Sequence, residues 1–439
     1  MKKSSSAILG RFKRGGAMGI DLSLRRAYFD LLAKLGNPHL KLPPAVHVAG
    51  TNGKGSVCAF LRAAVEAAGY CAHVYTSPHL VSYNERIRVA GGLIEEDEFV
   101  EILLECEKLT EPGEVTCFEA LTATAFAVFA RHSADITIIE TGLGGRLDAT
   151  NVIPFPSATI ITRLSFDHRE YLGETMAEIA REKAGIMRAG IKCFTAPQPS
   201  AEAMIALQEA AGKTGALLVV GGKDWAVKQL SGEEFAFTGK QRALTLPMPA
   251  LAGKHQLWNA GLAVSSLEAL PLKMSEGALR MAMQTVEWPG RLQKLVSGRF
   301  VEKLPSGWEL WLDGGHNDSA GEVLAEQMKE WRSQNSGEER PVFVVLGMLS
   351  TKRPQEFMKP MLPHIKEWRT VAIPGEPLCF TAEELAKSAQ ELGIENISPE
   401  ESPKLAISAL SRCKAVKARI LVCGSLYLVG HCLRENSRS

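Results

Sequence analysis

Residues 45–56 read AVHVAGTNGKGS, and the reading of this stretch decides the fold. AVHVA has the apolar, β-branched content of a buried strand, and VCAFLRAAVEAAG after it has helical spacing. Between them lie glycines at 50, 53 and 55, with Lys54 and Ser56. Strand, glycine turn and helix is the context in which backbone N–H groups at a helix start hold a phosphate. Lys54 would neutralise phosphate charge, and Ser56 would reach a magnesium ion or a phosphate oxygen. The common phosphate-loop pattern puts a hydroxyl residue directly after the lysine, whereas here Gly55 intervenes. The alternative is a plain glycine turn with an incidental lysine. Three elements in the required order favour the phosphate loop.

Outward from this loop, CAHVY (71–75), DITIIE (135–140) and ATIIT (158–162) are further short apolar runs separated by helical stretches. Near-continuous apolar strands between helices predict a mostly parallel sheet covered on both faces. Residues 225–247 alternate instead, with a turn signal at Ser231-Gly232, and predict a small antiparallel hairpin at the sheet edge. A helix over 255–269 closes this part. The pattern breaks around Trp288-Pro289-Gly290-Arg291. Beyond it WELWLD (308–313), PVFVVLG (341–347), TVAIPG (370–375) and RILVCG (419–424) alternate with helical segments. The expected fold is therefore α/β, with a phosphate-loop domain over 1–290 and a second, Rossmann-like α/β domain over 291–439.

Composition narrows the function. Lys plus Arg (50) nearly balance Asp plus Glu (49), which gives no electrostatic case for nucleic acid or an anionic membrane as partner. Nine cysteines form no C-x-x-C pair and read as reduced, buried thiols of a cytoplasmic protein. The basic start MKKSSSAILGRFKRGG lacks the apolar core of a signal peptide, and no apolar run reaches spanning length. A monomeric enzyme acting on small molecules fits these features.

Several acids and histidines fall where chemistry is expected. Glu140 ends a buried strand, at the sheet edge where open α/β sheets bind ligands, and a carboxylate facing a phosphate loop is a natural Mg²⁺ ligand. Asp167-His168 follow another strand at the same edge and read either as structural or as a second metal site. Lys183 reads by itself as a solvated helical lysine, and Asn259, four residues after His255, as part of a cap-and-core arrangement.

Taken together, GTNGKGS, YTSPHLVSYNERIRV (75–89), FEALTATAF (118–126), ETGLGGRLDATN (140–151), DHREYLG (167–173) and REKAGI (181–186) resemble folylpolyglutamate synthase/dihydrofolate synthase. That family is a branch of the Mur-type ATP-dependent amide ligases, and the resemblance runs from about residue 19 to GSLYLVG at 424–430. It implies an ATP site at Thr51, Asn52, Gly53, Lys54, Gly55 and Ser56, with Asn259 at the base and Arg291 and Asp313 contacting the nucleotide from the second domain. It implies two Mg²⁺ ions, held by Ser77, Glu140 and His168, and a Lys183 carboxylated by CO₂. Asp313 lies next to His316, a candidate catalytic residue, and because the carboxylates of L-glutamate need cationic or helix N-terminal donors, His316 and the Gly424-Ser425 helix start are candidates to hold it.

The implied reaction transfers the ATP γ-phosphoryl group to a carboxylate, and the amine of L-glutamate attacks the acyl phosphate. The acceptors are dihydropteroate and reduced folates. GRLDATN at 145–151 matches the bifunctional bacterial forms, so Leu147, Asp148 and Ala149 would line the pteroate pocket. Val115, Thr116, Cys117 and Phe118 would form another wall, with Phe118 stacking on the pterin. Residues 19–24 lie where the family's N-terminal substrate loop begins. Two departures stand out: DGGHND lacks the family's usual proline, and Lys352-Arg353 replace its lysine-aspartate pair. The rival readings are a tail-extending folylpolyglutamate synthase, a Mur-type ligase for a cell-wall precursor, and a nucleotide switch. The absence of N-K-x-D argues against the last.

Overall fold

The computed structural model describes residues 4–12, 26–334 and 340–437, so the stretch 19–24 lies outside the described residues. The chain forms two compact units, one of Met1–Ala250 with Gln256–Glu287, the other of Leu251–His255 with Trp288–Ser439. The break falls between Glu287 and Trp288, at the head of the W-P-G-R stretch.

In the first unit the strands are β1 (Ala45–Ala49), β2 (Ala72–Tyr75), β3 (Ile87–Val89), β4 (Gly92–Leu93), β5 (Ile136–Glu140), β6 (Ala158–Ile161), β7 (Lys192–Thr195) and β8 (Leu217–Val220). They form one sheet in the order β4-β3-β2-β5-β1-β6-β7-β8. Every pairing from β2 to β8 is parallel. β1, β2, β5 and β6 are buried at every position, which is why they read as unbroken apolar runs. β1 lies between β5 and β6, and the chain moves from β1 to the β5 side and later returns across it. The carboxyl end of β1 is thus a switch point, where such sheets open a crevice for ligands.

Two antiparallel elements differ from expectation. The sheet's antiparallel edge is β3–β4, built from the R-I-R-V segment after β2. Residues 225–247 do not form a hairpin on that sheet but a separate antiparallel sheet of three strands, β9 (Ala226–Gln229), β10 (Glu234–Thr238) and β11 (Ala243–Pro247). Trp225, Phe235 and Phe237 are buried there, and the Trp225 ring lies 5.8 Å from that of Trp258. A further helix, Glu276–Thr285, follows the expected one at His255–Ser266.

The second unit's strands are β12 (Gln293–Leu295), β13 (Trp308–Leu312), β14 (Val342–Leu346), β15 (Glu367–Val371), β16 (Ile397–Glu400) and β17 (Ala418–Cys423), in the order β12-β13-β17-β14-β15-β16. All but β12 run parallel. β15 lies earlier than TVAIPG suggests, because Trp368 supplies the inward-facing position ahead of Thr370 and Val371. All nine cysteines are free thiols, but only five are buried: Cys71 is exposed, and Cys117, Cys379 and Cys413 are half-buried.

Candidate functional site

Four loops leave the carboxyl ends of β2, β5, β1 and β6, and these carry the residues the sequence singles out. The first joins β1 to the helix Lys54–Ala67. Its N-cap is Gly53, at φ 91°, and no side chain caps it. The first-turn N–H groups therefore have neither intrahelical carbonyls nor a capping side chain, which is the donor array an anion requires. Only glycine fits position 53. The φ is left-handed, and a Cβ would lie 2.6 Å from Asn259 Oδ1.

The loop itself is held rigidly. The Thr51 and Asn52 N–H groups both donate to Arg163 O at 3.1 Å. Thr51 Oγ1 donates to Ser165 O at 3.1 Å, and Asn52 Nδ2 to Ser165 Oγ at 3.1 Å. Thr51 and Asn52 thus anchor the loop to the chain after β6, and the helix start is left to receive an anion. Gln256 Nε2 donates to Ser56 Oγ at 3.3 Å and its Oε1 accepts from Asn259 Nδ2 at 3.0 Å. Buried Asn259 is therefore packed against the loop. Sequence reasoning missed Gln256; its place in the H-Q-x-x-N-A run was the available signal.

Two lysines converge on one carbonyl. Lys54 Nζ donates to Gly50 O at 3.1 Å and to Thr51 O at 3.3 Å, and Lys183 Nζ donates to the same Gly50 O at 2.9 Å. Lys183 is buried, not solvated, and its pKa falls from 10.5 to about 7. Burial is the main cause and the Lys54 charge the next, with the Asp167 and Asp148 carboxylates pulling the other way. Glu140, 3% exposed, faces Lys54: its Oε1 lies 4.0 Å from Lys54 Nζ and its Oε2 accepts from the Ser77 N–H at 3.2 Å. Ser77 and Glu140 are thus brought together.

His168 follows β6 in the left-handed region (φ 50°), and its N–H donates to Asp167 Oδ1 at 3.0 Å. Among the described residues no three His, Cys, Asp or Glu cluster tightly enough to cage a metal. A buried carboxylate beside an anion-binding helix start suits Mg²⁺, which takes one or two protein oxygens and fills its shell with phosphate and water.

The loop after β5 carries the expected acceptor wall. Asp148 is 4% exposed, and both its oxygens are engaged: Oδ2 accepts from Leu143 N at 2.8 Å, and Oδ1 from Thr150 N at 2.9 Å and Thr150 Oγ1 at 2.5 Å. Burial pushes its carboxyl up, and the Thr150 and Leu143 bonds oppose that. Ala149 is buried with its carbonyl accepting from Tyr28 Oη at 2.9 Å, while Leu147 is half-buried. The loop also rides directly on the end of the Lys183 helix. A Cβ on Gly145 would meet Lys183 O at 2.7 Å, and Arg146 N donates to Glu182 O at 2.8 Å. Asn151 Nδ2 donates to Gly185 O at 3.0 Å, and Asn151 Oδ1 accepts from Arg188 Nη2 at 2.7 Å.

The 115–118 stretch divides. Val115 belongs to the core, and Thr116 caps the helix Cys117–Arg131 in a reciprocal box with Glu119. Phe118 is half-buried, its ring edge where a Cβ of Gly142 would be, at 2.3 Å. Cys117 is half-buried at the first turn.

In the second unit Asp313 directly follows β13 and is 8% exposed. Its Oδ2 accepts from Leu292 N at 2.8 Å and its Oδ1 from Gly315 N at 2.7 Å. Burial raises its pKa, and the Arg291 guanidinium opposes that. His316 Nδ1 lies 2.9 Å from Gly314 O; a carbonyl only accepts, so Nδ1 carries the proton. The Gly424 N–H donates to Gly315 O at 3.0 Å, which brings the Gly424-Ser425 turn beside the His316 loop. Arg291, Asp313, His316 and Ser425 thus form one group.

Comparison with known proteins identifies the family. Residues 48–267 match the Mur ligase middle domain, and residues 301–435 the dihydrofolate synthetase C-terminal domain. The chain is 36% identical to the dihydrofolate synthase/folylpolyglutamate synthase of Bacillus subtilis, over 97% of this chain and 96% of that one. It is 34% identical to the Escherichia coli protein of the same name, over 94% and 90%. Among solved structures, E. coli FolC in complex with DHPP and ADP superposes with a TM-score of 0.86 at 31% identity, covering 99% and 97% of the two chains. The Yersinia pestis bifunctional enzyme complexed with AMPPNP and Mn superposes at 0.85 with 29% identity, covering 99% and 98%. The chain belongs to the dihydrofolate synthase/folylpolyglutamate synthase family of Mur-type ligases.

Proposed function

We propose that this protein joins L-glutamate to dihydropteroate, and to the γ-carboxyl group of reduced folates, at the expense of ATP. The observation that carries this reading is the uncapped helix start at Gly53, with Lys54 and Lys183 on one loop carbonyl and the Glu140 carboxylate 4.0 Å from Lys54 Nζ.

The N–H groups of the Lys54–Ala67 helix start and the Lys54 ammonium would hold the ATP phosphates and spread the charge of the γ-phosphoryl group as it passes to the acceptor carboxylate. Glu140, with Ser77 and His168, would hold Mg²⁺, which supplies charge neutralisation for the transferring group when bound. Lys183 is poised for carboxylation. With a pKa of about 7, a substantial share of its amine is neutral near physiological pH, and that neutral nitrogen can bond to the carbon of CO₂ and release a proton. The product is an anion, so the repulsion between two ammonium groups on Gly50 O becomes an attraction. Leu147, Asp148, Ala149 and Phe118 would face the pteroate, while Arg291 and Asp313 would contact ATP and His316 and Ser425 would take the glutamate carboxylates. No helix among the described residues is long and apolar enough to cross a membrane, which together with nine free thiols supports a cytoplasmic setting.

The test is product analysis with ATP and L-glutamate, using dihydropteroate and tetrahydrofolate in separate reactions. Glutamylated product from both acceptors is expected. Product from tetrahydrofolate alone would restrict the enzyme to tail extension, and turnover only with a muramyl acceptor would overturn the reading.

A further inference from the structure

Asp148 does not stand alone in the acceptor loop. His47, in the middle of β1, is 1% exposed, and its Nε2 lies 2.7 Å from Thr150 Oγ1. Thr150 is fully buried, and its hydroxyl lies 2.5 Å from Asp148 Oδ1. A carboxylate oxygen accepts, so the single Thr150 proton goes to Asp148, and His47 must donate its Nε2 proton to the threonine oxygen. The proton order is therefore fixed: His47 Nε2–H to Thr150 Oγ1, and Thr150 Oγ1–H to Asp148 Oδ1. A neutral imidazole suffices for this, and burial together with the Arg188 charge lowers the His47 pKa to about 3, so the ring stays neutral.

The chain of bonds links two loops with different tasks. β1 runs directly into the phosphate loop, and residue 47 is three positions before Gly50. Asp148 sits in the loop that also rests on the Lys183 helix through Gly145, Asn151 and Arg188. The orientation of the Asp148 carboxylate is thereby set by the same strand that positions the phosphate donors.

We infer that His47 and Thr150 are positioning residues for acceptor recognition, fixing the Asp148 carboxylate against the phosphate-loop strand through the buried relay His47–Thr150–Asp148. This rests on the reading of Asp148 as an acceptor-facing residue. The isostere Thr150→Val removes the relay and keeps the Thr150 N–H bond to Asp148 Oδ1, whereas Thr150→Ser keeps the hydroxyl. His47→Gln retains a donor near the Nε2 position, whereas His47→Leu does not.

The experiment measures KM and kcat for dihydropteroate, and KM for ATP, in these four variants and in Asp148→Asn. Thr150→Val and His47→Leu should raise KM for dihydropteroate about tenfold or more and leave KM for ATP within about twofold, as expected when a hydrogen bond to a charged group is lost. Thr150→Ser and His47→Gln should return most of the loss. A parallel rise in both KM values, or no recovery in the conservative variants, would reduce the relay to a packing element and overturn the inference. If Asp148→Asn raises KM for dihydropteroate while Thr150→Val does not, the inference fails and the Asp148 reading stands. If Asp148→Asn leaves that KM unchanged, the Asp148 reading itself fails, and the inference with it.

Discussion

The large sheet of each unit sends an inner strand through a glycine turn into a helix, and the two helix starts are finished differently. In the first unit the turn after β1 ends at Gly53, the N-cap of the Lys54–Ala67 helix, with no side-chain bond. In the second unit Gly424 follows β17, and Ser425 Oγ accepts the Tyr427 N–H at 3.1 Å at the head of the helix Leu426–Ser437. The neighbouring helix from Asp318 is served likewise: Asn317 Oδ1 accepts from Ala320 N at 3.0 Å. A helix start capped by its own side chain has satisfied part of its need for an acceptor. One without a cap, set beside buried cations, is left to a ligand. On the proposed function, the multiply charged phosphates would go to the first unit, and the second would offer single side chains such as Arg291 and His316.

The sharpest way to break this contrast is to remove charge at the uncapped end. Lys54→Ala and Glu140→Ala should each lower kcat by at least about a thousandfold, the scale seen when a charge on a transferring phosphoryl group is removed. Circular dichroism should show folded protein in both. Equivalent losses on substituting Arg291 or His316, with Lys54→Ala near normal, would reverse the assignment.

Lys183 sharpens the comparison further, because among the described residues the second unit has no buried lysine. Lys183→Ala should lower kcat by about a hundredfold, in keeping with loss of one buried electrostatic contact at the reacting group. In CO₂-depleted buffer the native enzyme should lose activity and regain it with bicarbonate, whereas bicarbonate should do nothing for the variant. The stability consequence has a definite sign. The folded lysine sheds its proton near pH 7 and an unfolded one near 10.5, so between these values the unfolded chain binds more protons and stability rises with pH. Lys183→Met lacks that slope. Its stability relative to the native protein, followed by urea denaturation without CO₂, should be most favourable at pH 7 and below and should decline toward pH 10. A difference that stays flat with pH would show that this amine is not depressed.

How much of this is legible in the sequence follows from the range of the interactions involved. β1, β2, β5 and β6 are visible because they are buried on both faces, and the phosphate loop because strand, glycines and helix adjoin in the chain. Glu140 is readable from its place at a strand end. The separate sheet of β9–β11 is not, since alternation specifies a half-buried strand but not the sheet it joins. The relay is hidden for a different reason: His47 and Thr150 are 103 residues apart, and neither breaks a local pattern. Lys183 reads as a surface lysine because helical periodicity does not reveal that residues 142–151 cover its helix end; only family resemblance singled it out.

The smallest expected effect tests the capped end directly. Ser425 is 3% exposed, and its hydroxyl has two possible tasks, capping the Leu426–Ser437 helix and meeting a glutamate carboxylate. Alanine and glycine separate them, because alanine at an N-cap costs about 1 kcal/mol and glycine only a few tenths. Ser425→Ala should therefore loosen amide protection in that helix by about 1 kcal/mol by hydrogen exchange, and Ser425→Gly by much less. If the hydroxyl also meets glutamate, KM for glutamate should rise several-fold in both variants alike, with kcat largely kept. A KM that tracks the loss of protection instead, high in alanine and near normal in glycine, would make Ser425 a cap alone. Glutamate would then depend on His316 and the turn's backbone N–H groups, and the second unit's helix start would contribute order and not recognition.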